Sequence, residues 1–198
     1  MNRTAHDALT ALKEGNRRFA EGESLDRFTA EERSRCVAGQ KPWAVVVGCS
    51  DSRVPVEAVF DVGVGELFVV RTAGHVLTAA GLASVRFAVE VLGSRLVVVL
   101  GHEECGAVTA ALKGGAPDWL EPIVSKIDVS PVDPACAPSD ADDALLAAAV
   151  NRHVVATIAR LEEFVNGFDV PADETKVVGG SYALASGAVH WLAEESCA

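Results

Sequence analysis

Short apolar runs alternate with segments of helical spacing along the chain. Trp43-Ala44-Val45-Val46-Val47 runs into Gly48, and Leu67-Phe68-Val69-Val70 is a second such run. Leu96-Val97-Val98-Val99-Leu100, entering Gly101, is a third, and Val177-Val178 before Gly179-Gly180 a fourth. Continuous runs of this length suit strands buried on both faces. Leu82, Val85, Val89 and Leu92 recur at intervals of three, four and three, which puts them on one helical face; Val150, Val154, Ile158, Leu161 and Val165 do the same later. Buried strands alternating with amphipathic helices predict an α/β fold, a mostly parallel sheet flanked by helices. Residues Ala188 to Leu192, after the Ser186-Gly187 turn, predict an antiparallel edge strand at the C-terminus.

The flanking segments are less regular. Leu9, Leu12 and Phe19 share a face of an N-terminal helix, with Gly15-Asn16 as its interruption or end. A helix with a stripe but little core of its own would embrace a partner chain. Ala20 to Gln40 reads as a polar linker. Gly114 to Asp143 holds five of the eight prolines and reads as a long excursion with short helical pieces. The expected organisation is a single domain over 1–198, with a helical N-terminal arm at 1–40 and an α/β core at 41–198.

Composition narrows the function classes. The 198 residues carry 17 Lys and Arg against 28 Asp and Glu, a formal net charge of −11. That balance argues against nucleic acid or an anionic membrane surface, since both polyanions are held largely by Lys and Arg. Hydrophobic residues make up 49%, enough for a sizeable core. The N-terminus lacks the apolar stretch of a secretory signal, and no run of about 18 uncharged apolar residues occurs. The expectation is a soluble cytoplasmic protein. Five cysteines are too few and too scattered for a disulfide framework.

Two clusters carry the chemistry. Cys49-Ser50-Asp51-Ser52-Arg53 follows the first buried strand, and His102-Glu103-Glu104-Cys105 follows the third. In an open parallel sheet, ligands bind outside the carboxyl ends of the strands, so these two loops can meet. Two thiolates and one imidazole suit zinc. With Asp51 as a fourth ligand the site is closed and carries one net negative charge; without it the site is neutral, with a position open to water. Arg53 can draw the carboxylate off the metal through a bidentate pair, or simply fix the loop as a salt bridge. Cys36, Cys136 and Cys197 read as filler, and His6, His153 and His190 as structural or exposed. Gly63-Val64-Gly65 precedes a strand instead of following one, which rules out a dinucleotide loop.

At these clusters the sequence resembles the β-class carbonic anhydrases. The matching stretches are Cys49 to Pro55, Phe60-Asp61 with Gly63 and Gly65, Glu66 to Arg71, Ala73-Gly74, and Gly101 to Val108. Gly15 to Phe19, Gln40-Lys41-Pro42, Gly179 to Tyr182 and Gly187-Ala188-Val189 extend the resemblance from about residue 8 to 192. It implies one zinc ion per chain on Cys49, His102 and Cys105, with Asp51 and Arg53 as the gating or orienting dyad. It implies that Gln40 hydrogen-bonds CO2 or bicarbonate from near a subunit interface, in a homodimer or dimer of dimers. The implied reaction is reversible hydration of carbon dioxide to bicarbonate and a proton, by attack of zinc-bound hydroxide. Carbonyl sulfide or carbon disulfide as substrate, and a non-catalytic zinc-stabilised scaffold, are the alternatives. Two positions depart from the pattern. His75 stands where the family loop has Asn, either moving protons or fixing the loop. Val46 stands where the bicarbonate-inhibited subtype has Trp, so that regulatory site is not expected.

Overall fold

The computed structural model describes residues 3–130, 141–169 and 174–192. Its five-stranded sheet contains β1 (Ala44–Cys49), β2 (Leu67–Thr72), β3 (Leu96–His102), β4 (Lys176–Tyr182) and β5 (Val189–Trp191), in the order β2-β1-β3-β4-β5. The first four strands are parallel, and β5 is antiparallel to β4, as the sequence predicts. Every residue of β1 and β3 is buried. Alternation along each strand feeds two cores. Val46 and Val98 face one core with Ala8 and Leu12, while Val45, Val47, Val97 and Val99 face another with Val85, Val154 and Leu161.

The helices α1 (Ala5–Ala20) and α3 (Val56–Val59) cover the first face. Gly15-Asn16 neither interrupts nor ends α1, contrary to the sequence expectation. Gly15 is where the helix touches the Phe60 carbonyl, so closely that a Cβ would stand 1.9 Å from that oxygen. The Asn16 amide donates to the Val59 and Gly187 carbonyls and accepts from the Val189 N–H. The arm therefore covers its own chain's core, with Ala8 and Leu12 fully buried. The stretch read as a linker also contains a helix, α2 (Ala30–Arg35), capped by the Thr29 hydroxyl.

On the second face lie α4 (Ala79–Arg86), which widens into a π-helical turn at Phe87–Val91, and α7 (Ala141–Val165). By length and apolarity Asp143–Val165 would suffice to cross a bilayer, but here α7 packs on β3 and β4. Glycines allow that approach: a Cβ on Gly179 would lie 2.6 Å from both Val154 Cγ1 and Ile158 Cδ1. After β3 come α5 (Gly106–Lys113), a short 3-10 turn at Asp118–Leu120 and α6 (Glu121–Val124), the helical pieces expected of the excursion. Cys136, Cys197 and the prolines at 131, 134 and 138 lie outside the described residues.

Candidate metal centre

β1 and β3 are adjacent and in parallel register, with Gly48 beside Leu100. Cys49 and His102 therefore end neighbouring strands at the same edge of the sheet. From β1 the chain passes to β2 on one side, then crosses back to β3 on the other. Diverging connections of this kind open a crevice between the two strand ends. Glu104 adopts a left-handed conformation, φ 51°, and the turn delivers Cys105 as the residue preceding α5.

Three donor atoms converge there. One from each of Cys49, His102 and Cys105 lies within 4.8 Å of the others, and all three residues are buried. The two sulfurs are 3.9 Å apart. His102 Nδ1 sits 2.7 Å from the Glu103 carbonyl, which supplies only an acceptor, so the ring proton belongs on Nδ1. Nε2 is left as a buried lone pair with no hydrogen-bond partner among the described residues. An imidazole anchored through one nitrogen with the other free is the state a metal ligand requires.

Electrostatics favour a thiolate at Cys49. The hydrogen bond from Cys105 holds its thiol well below the ordinary range, with the Asp51 backbone and the Gly74 N–H adding to it against the cost of burial. The Gly74 N–H lies 3.2 Å from the sulfur. The Cys105 thiol is pushed up by the same sulfur-to-sulfur hydrogen bond and by its burial.

Asp51 overhangs this group. Its Oδ2 is 3.9 Å from His102 Nε2, yet both carboxylate oxygens face Arg53. Arg53 Nε donates to Oδ1 at 3.0 Å, Nη2 to Oδ2 at 2.8 Å, and the Arg53 backbone N–H to Oδ1 at 2.9 Å. That guanidinium contact keeps the Asp51 carboxyl well below the usual carboxylate range. Arg53 also reaches Glu104, through Nη1 to Oε2 at 3.2 Å and Nη2 to the carbonyl at 3.3 Å. The dyad thereby ties the two ligand-bearing loops together.

Other candidate residues lie elsewhere. Gln40 is exposed and precedes β1, whereas the donors stand at the carboxyl end. The strand alone separates them by about 16 Å, at roughly 3.3 Å per residue. His75 is 1% exposed and stacks on His153 behind the Gly74 turn, which favours loop fixing over proton movement to solvent. Cys36 is half-buried at the end of α2, its thiol donating to the Val64 carbonyl. His6 and His190 are exposed.

The structure adds a residue to which sequence reasoning gave no role. Arg71 Nε donates to the Cys49 carbonyl at 2.8 Å and Nη2 to the Asp51 carbonyl at 2.6 Å, bracing the loop that carries both. Its sequence signals are its place in the matching stretch Glu66 to Arg71 and a cation near the end of β2, the strand that pairs with β1.

Comparison with known proteins places this geometry. The family model described as carbonic anhydrase matches residues 44–189, which include the whole donor set. The chain belongs to the β-carbonic anhydrase family. A carbonic anhydrase of Mycolicibacterium smegmatis is 41% identical over 188 residues, covering 92% of this chain and 90% of that protein. Carbonic anhydrase 2 of Mycobacterium tuberculosis is 55% identical over 106 residues, 53% of this chain, so the match spans about half (51%) of that relative's length. The solved β-carbonic anhydrase CafA of Aspergillus fumigatus shares the fold, with a TM-score of 0.71 at 22% identity over 96% of this chain and 91% of that one. In this β-carbonic anhydrase family member, the three converging donors and the Asp51–Arg53 pair all lie within the matched residues.

Proposed function

We propose that this chain catalyses the reversible hydration of carbon dioxide to bicarbonate and a proton at a zinc ion held by Cys49, His102 and Cys105. The observation that carries it is the convergence of three buried donors beneath an arginine-locked carboxylate. The donors fit zinc: two sulfurs, one predisposed to the thiolate form, and an imidazole whose Nε2 has no hydrogen-bond partner among the described residues. Bound there, zinc supplies Lewis acidity that lowers the pKa of a water from 15.7 toward about 7.

The chain's own residues do the rest. Asp51 stays ionised beside Arg53 and can only accept a hydrogen bond, so it orients whatever O–H group stands over the donors. Arg53 holds that carboxylate away from the donor set, so that a zinc ion on the three donors would keep room for a water. Arg71 keeps the Cys49–Asp51 loop from shifting as charge changes in the site. Val76, Val108 and Ile127 pack around the two cysteines and exclude water from that side. Gln40 contacts substrate only in the site of a second copy of the chain, because its own site lies a strand's length away. A homodimer or dimer of dimers in a reducing, cytoplasmic setting follows from this reading.

Metal analysis combined with stopped-flow CO2 hydration tests the proposal. Purified protein should hold one zinc per chain, and Cys49→Ser should lose it. Asp51→Asn should keep zinc while turnover falls by about 10²- to 10³-fold, the range for removing one oriented polar group. Full turnover in D51N, or zinc-loaded protein inert across a pH series, would overturn it.

A further inference from the structure

Three hydrogen bonds run in series from the back of Cys49 into the body of the protein. The Gly74 N–H donates to Cys49 Sγ at 3.2 Å. The Gly74 carbonyl accepts from His153 Nε2 at 2.9 Å. At the far side of that ring, the Asp128 N–H donates to Nδ1 at 3.2 Å. A backbone N–H can only donate, so Nδ1 must present its lone pair and the proton must sit on Nε2, facing the carbonyl. Protonating His153 would set one N–H against another, so only the neutral ring satisfies both partners. Burial acts in the same direction, holding this imidazole below its ordinary pKa.

The turn between these bonds is strained. Gly74 has φ 60°, and His75 follows it at φ 44°, a left-handed conformation for a residue that carries a Cβ. For His75, strain of this kind persists only where the surroundings over-determine it. Here the surroundings are visible. A Cβ on Gly74 would stand 3.0 Å from Ile127 Cδ1 and 3.1 Å from Ala107 Cβ, so the turn has no room to rotate. The His75 ring lies flat on the His153 ring, with centroids 4.3 Å apart and planes at 26°. His153 therefore grips the turn twice, by a hydrogen bond to the Gly74 carbonyl and by stacking on the next side chain.

We propose that His153, on α7, is a positioning residue for the metal centre: it pins the Gly74–His75 turn so that the Gly74 N–H stays on the Cys49 sulfur, and thereby sets how much charge that sulfur donates to the metal. The inference rests on Cys49 being a metal ligand, as proposed above. A hydrogen bond to a ligating sulfur withdraws electron density from it and leaves the metal the stronger Lewis acid. His153 acts one step further out, through backbone, from a helix far along the chain.

Two substitutions separate the ends of the imidazole. In His153→Asn, Oδ1 replaces Nδ1 and keeps the acceptor for Asp128, but the donor to Gly74 is lost. In His153→Gln, the side-chain NH2 reaches as far as Nε2 and keeps that donor. Each variant is loaded with Co(II) to read the sulfur-to-cobalt charge-transfer band, and zinc affinity is measured by chelator competition. H153N should move the band to lower energy, because the freed sulfur donates more charge. Loss of the pinned turn that positions Cys49 should weaken zinc binding by about 10- to 100-fold, with H153Q close to the unsubstituted protein. An unshifted band and unchanged affinity in H153N, or equal changes in both variants, would overturn the inference. Should neither variant fold, 15N NMR of the unsubstituted metal-loaded protein decides. An Nε2–H tautomer at His153 and a slowly exchanging Gly74 amide support the inference, and an Nδ1–H tautomer sinks it. Unsubstituted protein that binds neither Co(II) nor zinc refutes the metal reading itself, whereas one bound metal beside a silent H153N refutes the role of His153 alone.

Discussion

One serine separates Asp51 from Arg53, close enough for the guanidinium to close on both carboxylate oxygens. The folded carboxyl titrates below its value of about 3.9 in an unfolded chain. Whatever stability the pair contributes is thus fully present above that pH and is lost only as pH falls through the folded value, so the dyad does not titrate near neutrality. The buried imidazoles do matter there. Burial first, then the neighbouring His153 and His102, holds His75 well below 6.5, and burial lowers His153 as well. Below about pH 6.5 the unfolded chain takes up protons that the native state refuses. Stability should therefore fall on acidification, by up to about 1.4 kcal/mol per pH unit for each imidazole. His75→Asn tolerates the left-handed φ and cannot titrate. Thermal unfolding between about pH 7.5 and 5.5 should show a slope that grows shallower in H75N than in the unsubstituted protein as pH falls, approaching a difference of one proton at the acid end. Cys49 and His102 are legible in the sequence because each ends a recognisable apolar run, and Cys105 because it stands three residues after His102. His153 is not: a lone histidine on an apolar helical face reads alike whether it braces a ligand or fills space.

At the scale of elements, α7 is seated against the sheet by glycine. Gly101 and Gly179 lie opposite Val150, Val154 and Ile158, and a Cβ on Gly101 would stand 2.7 Å from Val154 Cγ2. Gly179→Ala should cost about 1–3 kcal/mol through overpacking, read as a lower urea midpoint with unchanged slope. Val154→Ala should relieve part of that cost, so the double variant should be less destabilised than the sum of the two. The strands and the face of α7 are legible because a buried parallel strand leaves an unbroken apolar run and a helix leaves its period of 3.6. The continuity of α1 through Gly15-Asn16 is not. Two residues that favour a helix end are there tertiary contacts, one yielding space to the Phe60 carbonyl and the other bonding three backbone groups. α2 escapes notice because it has no buried residue, hence no apolar period to find.

At the scale of the molecule, Gln40 and the donor set stand at opposite ends of β1, so a site that uses both needs two chains. Activity per chain should then fall on dilution in step with dissociation measured by analytical ultracentrifugation. Mixing inactive Gln40→Ala chains with inactive Asp51→Asn chains should restore activity, because a mixed pair contains one site with both residues intact. Such an interface would leave no mark in the period of any one strand, since it would join surfaces that a single chain leaves uncovered. The order of the chain is also the order of its synthesis. All three donors have emerged by Cys105, while the helix carrying His153 is complete only at Val165, sixty residues later. At about 5–20 residues per second that interval lasts roughly 3–12 s. Throughout it the growing chain carries two thiols destined to lie 3.9 Å apart, before the helix that supports them exists. With zinc held as proposed, oxidant and metal would compete for the same pair of sulfurs. Chains made without zinc under oxidising conditions should carry a Cys49–Cys105 disulfide detectable by peptide mass, and chains made in its presence should not.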